Sequence, residues 1–257
     1  MSHERWAEGE IVAVKGHGTP AILVPLAKGP VRIGQEGVID LTDQIGRPPG
    51  GSITWLGTSY RILRPSLADL FASVRRGAQI ITPKDAAQLL FRAGVGPGAQ
   101  VAEAGSGSGA LTIALAFAVG REGHVTSFDR RPEFLAAARA NVGRAGLADR
   151  VAFVERDVVR DGIDLSDLDA VLLDLPEPWN VFRSARDALA PGGRVATYTP
   201  TYNQLERTVL ALRALRYDEV RAIELLEREL TVGEGGTRPS FEMLGHTGFL
   251  AVGRKVD

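Results

Sequence analysis

The chain has 257 residues, 44% of them hydrophobic and 24% charged, with 30 Lys+Arg against 31 Asp+Glu for a formal net charge of -1. That balance excludes an intrinsically disordered chain, which needs low hydrophobicity with high net charge, and a histone-like basic binder. Cysteine is absent, so disulfide scaffolds, thiol nucleophiles and a cysteine-ligated metal centre are excluded, and the four histidines have no metal-ligand spacing, so a histidine-built metal centre is not expected.

Residues 1–64 carry short β-type runs at Ile11–Val14, Ala21–Leu26, Val38–Leu41, Ile53–Leu56 and Tyr60–Leu63. Glycine and proline turns such as Lys28-Gly29-Pro30 and Pro48-Pro49-Gly50-Gly51 separate them, which predicts a small antiparallel β domain. Residues 65–84 form a connection with one helix, on which Leu67, Leu70, Phe71 and Val74 share a stripe and Arg75-Arg76-Gly77 marks the end.

Residues 85–257 then alternate helices and strands. Thr82-Pro83-Lys84-Asp85 opens the first helix, with Thr82 as N-cap, Pro83 at the first helical position and Gly94 as the stop. Strands are expected at Gln100–Ala104, His124–Phe128, Val151–Glu155, Asp169–Leu173 and Arg194–Tyr198. Helices are expected at Ala110–Val119, Glu133–Arg144, Trp179–Leu189 and along Leu205, Val209, Leu212 and Leu215. Two β runs, Asp218–Leu226 and Gly248–Arg254, close the chain. This α/β alternation predicts a mostly parallel sheet covered by helices on both faces. The longest apolar run, Ala110–Val119, is too short for a membrane span and the first ten residues are charged, so a soluble cytoplasmic protein is expected.

Glu103-Ala104-Gly105-Ser106-Gly107-Ser108-Gly109 follows the first strand of the predicted sheet, where such folds bind ligands. Its G-x-G-x-G spacing differs from the dinucleotide fingerprint, and Glu103 would repel a pyrophosphate but suit a cationic ligand. A tight strand–helix turn without a ligand is the alternative. Asp129, at the end of the next strand, can accept both ribose hydroxyls or cap a helix before Pro132. Asp157, after the third strand, can accept from an adenine amino group or serve as a turn residue. No Walker-type G-K-[ST] is present. A ligand with adenine, ribose and a positive charge but no phosphate is S-adenosylmethionine.

Asp174-Leu175-Pro176-Glu177-Pro178-Trp179 ends the fourth strand and faces the same crevice. Asp174 can bind an exocyclic amine of a base and stabilise charge developing on it, or cap the next helix. Trp179 reads as a wall residue. His246 can line a substrate pocket or be a satisfied turn histidine. Arg238 can contact phosphate or be solvated. Arg61, Arg64, Arg75 and Arg76 form the densest basic stretch, a candidate RNA contact. The near-zero total conceals a net +3 over residues 1–84 and -4 over residues 85–257.

The order of Gln79-Ile80-Ile81-Thr82-Pro83-Lys84-Asp85, EAGSGSGALT at 103–112, DLPEPW at 174–179 and GHTGFL at 245–250 resembles the bacterial tRNA (adenine-58 N1)-methyltransferases of the TrmI type. The resemblance implies a Rossmann-like class I methyltransferase domain with an antiparallel last strand, behind a small N-terminal β domain. It implies methylation of N1 of adenine 58 in the tRNA T-loop, and a homotetramer. It places S-adenosylmethionine contacts at Gln79, Glu103, Gly105, Ser106, Gly107, Ser108, Gly109, Ala110, Leu111, Asp129, Arg130, Asp157, Val158 and Asp174, with Asp174 as the catalytic aspartate. His246, Arg238, Arg75 and Arg76 become candidate substrate contacts. Where the family often carries an aromatic before Pro-Lys-Asp, this chain has Thr82.

Overall fold

The computed structural model describes residues 5–33, 37–75 and 81–257. Six short strands come first: β1 (Ile11–Lys15), β2 (Ile22–Pro25), β3 (Pro30–Ile33), β4 (Gly37–Asp40), β5 (Ser52–Trp55) and β6 (Thr58–Leu63). Four of them form an antiparallel sheet in the order β2-β1-β6-β5, and β3 pairs with β4 in a separate hairpin. Inward residues including Val12, Val14, Val24 and Ile62 close with Trp6 into a core of their own. Strand β3 has no counterpart in the sequence reading. It is four residues long and starts at Pro30, a position an edge strand tolerates because no ladder donor is needed there.

Helix α1 (Leu67–Ala72) is held by a capping box. Ser66 accepts from the Asp69 amide while the Asp69 carboxylate accepts from the Ser66 amide. Helix α2 (Pro83–Ala93) starts at Pro83 and ends on Gly94, whose φ of 71° satisfies the left-handed cap. The chain continues through β7 (Gln100–Ala104), α3 (Ala110–Val119), β8 (His124–Asp129), α4 (Pro132–Arg144), β9 (Val151–Glu155), α5 (Val158–Asp161), β10 (Leu168–Leu173), α6 (Phe182–Ala188), β11 (Leu189–Thr199), α7 (Tyr202–Ala214), β12 (Asp218–Glu224), β13 (Leu230–Gly233), β14 (Gly236–Pro239) and β15 (Phe249–Arg254).

Seven of these strands make one sheet in the order β12-β15-β11-β10-β7-β8-β9. β15 is antiparallel to both its neighbours, and the remaining pairings are parallel. One face packs on α1 to α4 through residues such as Leu89, Ile113, Leu115 and Val142, and the other on α6 and α7 through Phe182, Ala185 and Leu212. Strands covered on both faces carry continuous apolar runs, which is why Val171-Leu172-Leu173 reads clearly in the sequence. Chain order reverses between β10 and β7, so their C-terminal ends frame a crevice.

Further elements differ from expectation. The predicted helix at Trp179–Leu189 divides into a 3-10 turn at Pro178–Asn180 and α6, with Val181 between them. β11 begins at Leu189 rather than Arg194: Pro191-Gly192-Gly193 stays within the strand as an irregularity, with Gly192 at a φ of +88° and a register shift against β10. The β13–β14 hairpin is fully exposed, so it shows no alternation of buried and exposed residues for a periodicity to detect.

Candidate active site

The glycine loop is shaped by what surrounds it. Gly105 has a φ of +96°, and a Cβ there would lie 2.2 Å from the backbone oxygen of Asp174. Gly109 has a φ of +81°, and its Cβ would meet the α4 backbone at Ala138 at 2.9 Å. The first glycine therefore lets the loop pass against the end of β10, and the last lets α3 start against α4. Asn141 of α4 donates from Nδ2 to the Ser108 carbonyl at 2.7 Å, fixing the loop from the side. Ser106 Oγ and Ser127 Oγ lie 2.6 Å apart.

Glu103 lies beneath this loop, fully buried in β7. Its Oε2 accepts from Thr112 Oγ1 and Ser127 Oγ, each at 2.6 Å, while Oε1 has no hydrogen-bond partner among the described residues. Burial pushes its pKa up to about 7, with Asp174 and Asp129 adding to the rise and the two hydroxyl donors opposing it. Near neutral pH the side chain is thus poised between carboxylic acid and carboxylate, with one oxygen unpartnered among the described residues.

Asp129 and Asp174 face a crevice of about 280 Å³, walled also by Gly105, Asp157 and Val158. Asp129 ends β8. Its Oδ1 accepts from the Arg131 amide at 3.0 Å and from Arg131 Nε at 3.2 Å. Asp157 lies two residues beyond β9 and caps α5 through the Val159 amide at 3.1 Å, with Arg130 Nη1 3.6 Å from its Oδ2. Asp174 caps no helix: Glu177 stands at the start of the 3-10 turn. The Asp174 amide donates to the Ala104 carbonyl at 2.9 Å, which fixes its backbone against the glycine loop. Loss of water around its carboxyl, together with the nearby Asp129, raises its pKa to about 6. Three arginines line or border the crevice, and each is engaged: Arg131 with Asp129, Arg130 with Asp157, and Arg156 with Asp164 and the Gly162 carbonyl. The crevice is left rich in acceptors.

A family described as "tRNA methyltransferase complex GCD14 subunit" matches residues 63–237. A tRNA (adenine(57)-N(1)/adenine(58)-N(1))-methyltransferase TrmI from Methanocaldococcus jannaschii is 36% identical over 223 residues, covering 77% of this chain and 79% of that protein. The chain belongs to the TrmI family of tRNA (adenine-58 N1)-methyltransferases. Among solved structures, TrmI from Aquifex aeolicus aligns with a TM-score of 0.73 at 26% identity, covering 99% of this chain and all of that one. A SAM-dependent O-methyltransferase from Thermotoga maritima aligns with a TM-score of 0.79 at 33% identity, covering 98% and 95%.

S-adenosylmethionine is the cofactor of this TrmI-family chain, and the residues present fit it. The glycine loop leaves room for a close approach, no lysine lines the crevice, and the unpartnered Glu103 oxygen suits a cationic donor. Ser106, Ser108, Ala110 and Leu111 are buried in the loop and the first turn of α3. Gln79 and Arg76 lie outside the described residues.

Other sequence candidates sit elsewhere. His246 is bonded at both ring nitrogens, Nδ1 to Glu224 Oε1 at 2.9 Å and Nε2 to the Pro200 carbonyl at 2.8 Å, and it packs on the Phe249 ring at 4.6 Å. Arg238 lies on β14 rather than in a loop and stacks on Phe241. Arg61 donates to the Gly50 carbonyl, and Arg64 stacks on Trp6 and pairs with Glu10. Arg75 faces a different groove from the crevice.

The position where TrmI members often carry an aromatic has another use here. Thr82 Oγ1 donates to Asp85 Oδ2 at 2.8 Å rather than capping backbone amides. The fully buried Asp85 also receives Lys84 Nζ and Thr247 Oγ1, each at 2.7 Å, and Tyr198 OH donates to the Thr247 carbonyl. The Pro-Lys-Asp and Gly-His-Thr-Gly motifs are therefore one polar cluster. Sequence reading placed the two motifs in order but gave no signal that they touch. It also missed Arg131, whose contact with Asp129 is a two-residue turn interaction.

Proposed function

We propose that this crevice transfers the methyl group of S-adenosylmethionine to N1 of adenine 58 in the T-loop of tRNA, leaving S-adenosylhomocysteine. The observation that carries the site assignment is Asp174. Its carboxylate receives no hydrogen bond from the described residues, yet it stands at the switch point against the glycine loop with its backbone fixed on both sides.

When bound, S-adenosylmethionine supplies a methyl group on a cationic sulfur, which a ring-nitrogen lone pair can displace directly. Adenine N1 already carries that lone pair, so no side chain has to remove a proton first. Asp174 accepts a hydrogen bond from the exocyclic amine, turns N1 toward the cofactor and offsets the positive charge the ring acquires. With its pKa near 6, Asp174 is largely ionised at neutral pH and can perform this role. The Asp174 amide, bonded to the Ala104 carbonyl, holds that backbone in register with the glycine loop. Adenine 58 must leave its stack to reach the crevice, at a cost of about a few kcal/mol. Glu103 and Asp129 are assigned to cofactor binding, Asp129 at the ribose, and Asp157 at the adenine.

A tetramer of identical chains in the cytoplasm completes the reading. Supporting assembly, the segment between β12 and β15 exposes Leu226, Phe241 and Leu244, together with Leu230 and Val232 on a hairpin paired only with itself. Among the described residues no helix is long and apolar enough to cross a membrane.

The test is to incubate labelled S-adenosylmethionine with an unmodified tRNA transcript and then reverse-transcribe it. N1 methylation blocks Watson–Crick pairing, so label should enter the tRNA and reverse transcription should stop in the T-loop. Label without a stop would mean that another atom, a hydroxyl oxygen included, receives the methyl group.

A further inference from the structure

Several arginines of this protein pair with a carboxylate. Arg131 faces Asp129, Arg160 faces Asp161, Arg186 faces Asp257, and Arg194 and Arg254 share Glu219. The groove between the N-terminal β domain and the end of α4 departs from this pattern. It encloses about 630 Å³, and its walls include Ile22, Tyr60, Ser73, Arg75 and Arg144, with no Asp or Glu among them. Among the described residues neither guanidinium has a carboxylate partner. Arg144 bonds the Asn141 side-chain oxygen, and the Arg75 side chain is exposed. Partial burial and the charge of Arg75 both lower the proton affinity of Arg144, as expected for two cations that face each other without an anion between them. Lys15 adds a third positive group by holding the Thr19 carbonyl on the groove wall at 2.5 Å.

Asn141 ties this groove to the active site. Its side-chain amide accepts from the Arg75 amide at 3.1 Å, donates to the Arg75 carbonyl at 3.2 Å, and donates to the Ser108 carbonyl of the glycine loop. One buried side chain thus fixes both the cofactor loop and the backbone of the first arginine.

We infer that Arg75 and Arg144 form a cradle for a backbone phosphate of the RNA substrate, in the groove between the N-terminal β domain and α4. Two planar guanidinium forks match a phosphodiester in geometry and charge, and the half-buried Tyr60 ring offers an apolar wall for the adjoining sugar or base. The inference rests on tRNA being the substrate.

The experiment measures tRNA binding over a range of salt concentrations, and KM for tRNA, in full-length Arg75→Gln, Arg144→Gln and Arg144→Lys. Each Gln variant should bind tRNA about tenfold more weakly. Each should also lower the slope of log K against log salt by about 1. Arg144→Lys should keep the slope, because it keeps the charge. S-adenosylmethionine affinity measured without RNA should hold in Arg75→Gln, whose side chain touches nothing in the cofactor site. If wild-type enzyme methylates tRNA while both Gln variants bind it with unchanged affinity and slope, the cradle is overturned and the reaction stands. Weaker binding accompanied by a changed oligomeric mass also overturns it, in favour of a contact between copies of the chain. Wild-type enzyme that places no methyl group on tRNA overturns both the cradle and the reaction.

Discussion

On the β7–β9 side of the crevice Glu103 and Asp129 are buried, and both they and the glycine loop are braced. Glu103 is held by two hydroxyls, Asp129 by Arg131, and the loop by Asn141. On the β11–β15 side the chain stands open. Residues 225–246 are exposed almost throughout, Phe241 and Val232 by 86% and 76%, and the β13–β14 hairpin pairs only with itself. The contrast follows the size of what each side receives. A small cofactor can be enclosed by one chain. A folded RNA cannot be enclosed in this way, which fits the proposed reading that the open side meets the substrate.

Disturbing the closed side should do the most damage. Gly105→Ala forces a side chain into positive φ and into the Asp174 backbone at once. The expected result is a loss of about 3–5 kcal/mol of stability with no detectable methylation, read by denaturant unfolding and by activity. Retained cofactor affinity and activity in a stable variant would break the account of the loop.

Asp174→Ala sits where the two sides meet. It should lower turnover by about 10²–10³-fold and leave cofactor affinity within a few-fold, measured by single-turnover methylation and calorimetry. In the native enzyme Asp174 gains a proton as pH falls through about 6, so the rate should drop below that pH and level off above it. Asp174→Asn should abolish that acid limb. A limb that persists in the Asn variant assigns it to another group.

The smallest effect belongs to Glu103→Gln. Burial raises the folded pKa of Glu103 to about 7, so between the ordinary carboxylate value and 7 the folded chain keeps a proton that the unfolded chain has released. Its contribution to stability is therefore present at low pH and is lost as pH rises through that window. The Gln variant should melt a few degrees higher than wild type at pH 8 and at the same temperature near pH 5, while binding S-adenosylmethionine more weakly at pH 8. An unchanged melting temperature at pH 8 would mean that the buried carboxylate carries no such cost.

The sheet and the glycine loop were legible because buried parallel strands are apolar runs punctuated by glycine. Asp174 was legible because two prolines mark the turn that follows it. The depth of Glu103 was not: a carboxylate two residues before a glycine reads the same whether it faces solvent or lies under the loop, and only Thr112 and Ser127, distant in sequence, settle it. Asp157 was found as a crevice residue, but its capping of α5 was hidden because a four-residue helix has no periodicity to read. The exposed hairpin left no pattern, and the union of Thr82, Asp85 and Thr247 depends on a sheet that brings together residues about 160 positions apart.

The contact between Gly105 and the Asp174 carbonyl has a consequence for exchanging parts between enzymes of this fold. A space too small for one methyl group separates the loop assigned to the cofactor from the turn assigned to the base. Neither can be transplanted alone. A substrate turn taken from another enzyme must reproduce the backbone path at position 174 as well as its carboxylate, or the donor's glycine loop must be moved with it as a single cassette.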